Sequence, residues 1–86
     1  MGWNHRVIVT EEKDPSGESY PYFRVHEVYY DENGVPDGYT SNPISISGED
    51  MESLNWTVDR IKESLSKAPL WGGERFPMEF NQSEPK

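Results

Sequence analysis

The chain has no cysteine among its 86 residues. Disulfides and thiolate-held zinc are therefore excluded as sources of stability. Histidine is almost as scarce. A zinc site built without thiolates would have only His5, His26 and carboxylates to draw on, and no recognisable metal, catalytic or nucleotide motif is present. No apolar run approaches the roughly 20 residues of a membrane span. Residues 1–6 lack the apolar segment of a secretory signal. The expectation is a soluble cytoplasmic protein with no catalytic residue, no metal ligand and no cofactor.

Positive charge is the next shortage. Eight Lys and Arg face sixteen Asp and Glu, giving a formal charge of −8. Each phosphate contact of a nucleic-acid binder wants a cation, so direct contact with DNA or RNA is disfavoured. An acidic protein is steered instead towards basic surfaces. A chain of this length makes one domain with a small core, burying only roughly 60–65% of its unfolded surface.

What is present is a strand-rich first half followed by one helix. Residues 6–10 are a β-branched run that extends as far as Glu12. Asp14-Pro15-Ser16-Gly17 has the residue order of a type I turn. A second strand is expected from Tyr22 to Tyr30, with Pro21 at its entrance. Asn33-Gly34 and Asp37-Gly38 mark the next reversal. A third strand is expected from Tyr39 to Ser47, interrupted by Pro43 and therefore at an edge or bulged.

Ser47-Gly48-Glu49-Asp50 then reads as a helix start, with Ser47 as cap and acidic residues near the positive end of the dipole. Met51, Leu54, Val58, Ile61 and Leu65 recur at spacings of three and four, the stripe of a helix seated on a sheet. Pro69 stops the helix, which should end near Lys67. These elements give an α+β domain over residues 1–70. It is a three-stranded antiparallel meander with one C-terminal helix, β-β-β-α. Residues 71–86 form an extension. Gly72-Gly73 is a flexible joint, and Phe76, Met78 and Phe80 alternate as they would on one side of an extended segment ordered to about residue 80. The polar residues 82–86 are expected to be disordered.

Trp3-Asn4-x-Arg6-Val7, His26-Glu27-Val28-Tyr29-Tyr30-Asp31 and Gly38-Tyr39-Thr40 before Asn42-Pro43-Ile44 resemble a family of short bacterial proteins of unassigned function. The resemblance spans roughly residues 3–70. It implies a compact sheet-and-helix fold and no activity.

The alternation of the second strand puts Phe23, Val25, Glu27 and Tyr29 on one face, and Tyr22, Arg24, His26, Val28 and Tyr30 on the other. His26 and Glu27 thus point apart and cannot share a proton. One helix covers only one face. The other needs the Trp3 segment, the extension or another chain, which predicts a two-fold homodimer. On the helix, Glu52, Trp56, Asp59 and Glu63 form a second stripe away from the apolar one. A tryptophan among carboxylates on a solvent face is unusual, and its functional reading is an acidic docking surface anchored by Trp56. The structural reading is Trp56 folded against the Arg60 stem, or covered by the extension.

Two functions follow. The first is a non-enzymatic, acidic protein-interaction domain contacting a basic protein surface through Glu52, Trp56, Asp59 and Glu63, with Tyr22 and Tyr30 on the sheet. A phage or mobile-element inhibitor that fills the basic channel of a nucleic-acid-processing protein is its special case. The alternative is a small-molecule-binding or enzymatic domain with a site on the aromatic sheet face around Arg24, His26 and Tyr30.

Overall fold

The structure is a computed structural model describing residues 2–81. The sequence builds a long hairpin first. Strand β1 spans Gly2–Lys13 and β2 spans Ser19–Tyr30, both longer than their β-branched centres suggested. They pair antiparallel without interruption from Gly2 opposite Tyr30 to Lys13 opposite Ser19. The turn between them closes around Asp14. The Gly17 N–H donates to the Asp14 carbonyl, and Asp14 Oδ1 accepts from the N–H groups of Ser16 and Glu18. Asp31 builds the next turn in the same way, accepting from Asn33 and Val35. Gly17 and Gly34 end the two turns at φ of 90° and 78°, where a side chain would be strained. The repeated Asp-x-x-Gly thus sets both reversals.

The third strand differs from the expectation. β3 is Pro36–Tyr39, so Asp37-Gly38 lies inside a strand and not in a turn. The Asp31 turn completes the reversal by itself. Beyond Tyr39 the chain still follows β2, with the Thr40 N–H donating to Glu27 and the Ile44 N–H to Val25. No regular ladder forms around Pro43, which has no N–H to donate.

The helix, α1, is Met51–Ser64. Its cap is Asp50, not Ser47: the Asp50 carboxylate accepts the Ser53 N–H at 2.8 Å. The amides of Leu65, Ser66 and Lys67 bond three residues back, so the last turn tightens and reaches Lys67 as i→i+3 bonds. The seated stripe also differs. Ser64 is buried and Leu54, Thr57 and Ile61 are half-buried, whereas Met51, Val58 and Leu65 are 69%, 44% and 66% exposed. The helix is rolled by about 60°, a little over half a residue step, from the expected seating. Two small hydroxyl residues face the sheet in place of Val58 and Leu65. Burial of Ser64 is tolerated because its hydroxyl donates to the Ile61 carbonyl.

After α1 comes β4, Leu70–Trp71, which pairs parallel with Ile8 and Val9. The sheet is therefore four-stranded and mixed, in the order β3-β2-β1-β4, and not a three-stranded antiparallel meander. The α+β class holds. Two residues of strand leave no periodicity to read. The segment after β4 forms a 3-10 turn at Gly73–Arg75 and then doubles back, with the Trp71 N–H donating to Met78 and the Phe80 N–H to Pro69. Because the Met78 N–H also closes a turn onto Arg75, residues 75–78 are not extended. Phe76, Met78 and Phe80 consequently do not share a side. Phe76 packs beside Tyr39, Phe80 meets Phe23 and Trp71, and Met78 is exposed. The expectation for residues 82–86 falls outside the described residues.

Opposed residues of an antiparallel pair share a face. One face carries Ile8, Val28 and His26. Ile8, Val28 and Leu70 form the buried cluster there, with Tyr30, Tyr39 and Phe76 against it. The other face carries His5, Val7, Val9, Val25 and Glu27. Helix α1 packs on β1, and His5 and Glu27 line one cleft with Trp56 and Thr57, which places the helix over this second face.

This distribution of burial predicts the ranking of core substitutions. Ile8→Ala should cost about 2–5 kcal/mol, because the fully buried side chain has no room to relax. Leu65→Ala should stay within about 0.5 kcal/mol, although both residues belong to apolar patterns. Urea midpoints of the two variants check this, and equal losses would show that the helix is seated otherwise.

Candidate functional site: the acidic helix and the cleft beside it

At about 100° per residue, the side chains of α1 divide into four sectors. Leu54, Thr57, Ile61 and Ser64 face the sheet. Glu52, Asp59 and Glu63 point away from it and are exposed. Trp56, 51% exposed, stands on one flank. Met51, Val58 and Leu65 form an apolar row on the other. Glu63 lies 3.7 Å from Arg60, an exposed pair worth about 0–1 kcal/mol. Glu52 and Asp59 pair with no cation among the described residues. The Arg60 guanidinium sits 5.0 Å from the Trp56 ring centre, so the structural explanation for Trp56 holds for one part of its surface and leaves half of the residue in solvent.

Tyr22 and Tyr30 do not join this surface. They lie on the opposite sheet face, eight residues apart along β2, which is about 27 Å. Tyr22 is exposed, with Arg24 over its ring at 4.3 Å. Tyr30 is packed against the Ile8 cluster. Its hydroxyl donates to Asn4 Oδ1 at 2.8 Å and accepts from Arg6 Nη1 at 3.2 Å. Arg6 in turn donates to the Ala68 carbonyl at 2.7 Å, tying the hairpin to the approach of β4.

The groups considered for a ligand or catalytic site on that face are engaged with their own neighbours. His26 is buried, and its Nδ1–H donates to the Thr40 carbonyl at 2.9 Å, which fixes the tautomer. The Tyr39 ring stands edge-on to it at 5.5 Å. Arg24 donates to Thr10 and lies 3.5 Å from Glu12. Among the described residues no three His, Asp or Glu side chains are grouped to hold a metal ion, and no helix is long and apolar enough to cross a membrane.

The residues that sequence reasoning missed lie under Trp56. A cleft of about 390 Å³ is lined by His5, Glu27, Thr40, Ile44, Trp56 and Thr57, among others. His5 and Glu27 are direct cross-strand partners, and so share its floor. The Glu27 carboxylate accepts from the Tyr29 hydroxyl at 3.0 Å. That hydrogen bond, then partial desolvation and the Glu27 charge, hold the Tyr29 hydroxyl above its ordinary value, so it stays a donor. A second depression shares Trp56 and Thr57 as a wall and is lined on its other side by Glu49 and Glu52. Trp56 is thus a ridge between two carboxylate-bearing hollows. The signal was in the sequence: the Asp14–Gly17 turn sets the hairpin register, and that register puts His5 opposite Glu27.

Neither a family model, a curated protein nor a solved structure matches the chain.

Burial of His26 holds it below its ordinary value, against the opposing hydrogen bond to Thr40 and with help from the Arg24 charge. Arg6 is its direct cross-strand partner and adds a second cation to that face. The folded state therefore favours the neutral ring, and the unfolded chain takes up the proton first. Stability should be fully present above about pH 6.5 and fall as the pH drops below it. Thermal melts from pH 5 to pH 8 should show this slope in the wild type and a flatter one in His26→Gln. An unchanged slope in the variant would assign the dependence elsewhere.

Proposed function

We propose that this chain is a non-enzymatic interaction domain that docks on a basic surface of another protein through the outward and Trp56-bearing sides of α1. The observation that carries the reading is Trp56 itself. It is a half-exposed tryptophan ridge beside Glu52 and Asp59, two carboxylates without cationic partners among the described residues. Aromatic anchors of this kind dominate binding energies, while surrounding charges act mostly on encounter rate and specificity. The formal charge of −8 favours a cationic target. An inhibitor, from a phage or mobile element, that fills the basic channel of a nucleic-acid-processing protein is the special case this charge favours. That case rests on analogy and not on a motif.

Reversing Glu52, Asp59 and Glu63 to Lys should abolish capture of a basic partner and leave the fold intact, since all three are exposed. Wild-type binding should weaken with salt, because exposed charges are screened within about 10 Å at 0.1 M. Affinity capture at low and high salt, with circular dichroism of the variant, reads both. Undiminished capture by the triple variant would move the interface off the helix.

A second reading, self-association, has its own observation. Met51, Val58 and Leu65 repeat every seven residues on the flank opposite Trp56, exposed, with Asn55 and Lys62 beside them and the acidic residues turned away. An antiparallel copy would set Met51 against Leu65 and Val58 against Val58, a self-complementary seam free of facing carboxylates. Sedimentation at micromolar concentration should give a dimer mass, and Val58→Glu a monomer. A monomeric wild type would rule the seam out.

A further inference from the structure

We propose that the cleft between α1 and the sheet receives the guanidinium of an arginine side chain presented by the partner protein. This rests on the interaction reading above and names the group that is recognised. The cleft holds a carboxylate, an imidazole, an indole and an apolar wall, and no Lys or Arg lines it. An anion would find no counter-charge there. A cation would find Glu27, which is half-buried and pairs with no cation among the described residues. A guest guanidinium would supply the counter-charge that this carboxylate lacks, through charge-assisted hydrogen bonds. The Tyr29 hydroxyl holds that carboxylate in place at 3.0 Å, so it is already oriented for a guest.

A second, independent observation concerns a residue that lines the same cleft. His5 is 8% exposed, lines the floor, and its Nδ1 is buried with no hydrogen-bond partner. One polar atom beside the floor is thus left without a partner by the protein itself, where buried polar atoms normally have one. Trp56 supplies the wall. Arg60 already shows that a guanidinium rests over this indole. Pro43 and Ile44 offer apolar surface for the methylene stem of the guest. Arginine fits better than lysine, because a planar guanidinium can meet a carboxylate through two parallel hydrogen bonds while stacking on an aromatic ring. A volume of about 390 Å³ falls at the lower end of the range of small-ligand sites, suited to one side chain and not to a large cofactor.

The test is a two-dimensional NMR titration of the whole chain with a capped Gly-Gly-Arg-Gly-Gly peptide, and with the same peptide carrying citrulline, the neutral isostere, in place of arginine. The arginine peptide should shift the signals of His5, Glu27, Thr40 and the Trp56 indole in a saturable way. The citrulline peptide should bind at least about tenfold more weakly, a difference of about 1.4 kcal/mol. Glu27→Gln, which can still accept from Tyr29, should lose the same factor while keeping the wild-type spectrum elsewhere. Equal binding of the citrulline peptide, shifts confined to Glu52, Asp59 and Glu63, or an unaffected Glu27→Gln would overturn the assignment. Free arginine binding as tightly as the peptide would overturn the partner side chain in favour of a free metabolite. Charge reversal on the helix tests the parent reading and Glu27→Gln tests the cleft, so each can fail without the other.

Discussion

The twelve-residue pairing of β1 with β2 is the constraint on which the other elements depend. It turns two stretches of alternating side chains into two defined faces, and each later segment is seated by what those faces offer. A slip of one residue would exchange the faces, sending Ile8 and Val28 to the helix side and His5 and Glu27 to the other. The Asp14 carboxylate guards against such a slip. It accepts from Ser16 and Glu18 at the tip of the hairpin, bonds that also hold it below the usual carboxylate range. A turn so closed sets the register from the end, and the hydrophobic pattern sets it from the middle.

The core is small. Ile8, Val28 and Leu70 contribute about 1.5–3 kcal/mol each by burial. Leu70 enters only because β4 runs alongside β1, and Phe76 and Phe80 enter only because the chain doubles back after it. Residues 71–80 therefore pack against the sheet. They supply aromatic cover to both faces, Phe76 beside Tyr39 and Phe80 beside Phe23. The Arg75 guanidinium ties this segment to the hairpin, lying over the Trp71 ring at 3.8 Å and 3.3 Å from Glu11 on β1. Both sheet faces are partly covered in this way, although Trp3, Tyr22, Phe23 and Tyr29 stay exposed on the strands, and the helix adds apolar surface of its own. There, two flanks of different chemistry stay free: an aromatic-acidic one beside the cleft and an apolar one facing away.

Local chemistry was legible where a single residue type decides the outcome. Asp14, Gly17 and Gly34 announce the turns, β-branched and aromatic residues announce the two strands of the long hairpin, and the separation of His26 from Glu27 follows from alternation alone. The cap moved from Ser47 to Asp50 because two acceptors stood within reach of the helix start and only backbone geometry chooses between them. The candidate site was half legible. The acidic stripe and Trp56 are a helical period, so they were visible. Tyr22 and Tyr30 were grouped with them only because nothing in a one-dimensional pattern says which face of the sheet the helix will cover. The cleft was not visible, since Glu27 and Trp56 are brought together by the seating of α1 and by no spacing.

The sequence by itself determined the periodic elements, the two tight turns, the strand faces and the acidic balance, because each depends on neighbours within a few residues. Tertiary structure alone decided the roll of the helix, the parallel β4, the return of the final segment and the enclosure of Glu27 with His5 beneath Trp56. Those outcomes depend on which surfaces fill space best when distant segments meet. Met51, Val58 and Leu65 are as apolar as Leu54 and Ile61, and any roll of the helix that buries part of the stripe satisfies the pattern. Thr57 and Ser64 won places against the sheet by size and by satisfied hydroxyls, properties that count only once there is a surface to pack against.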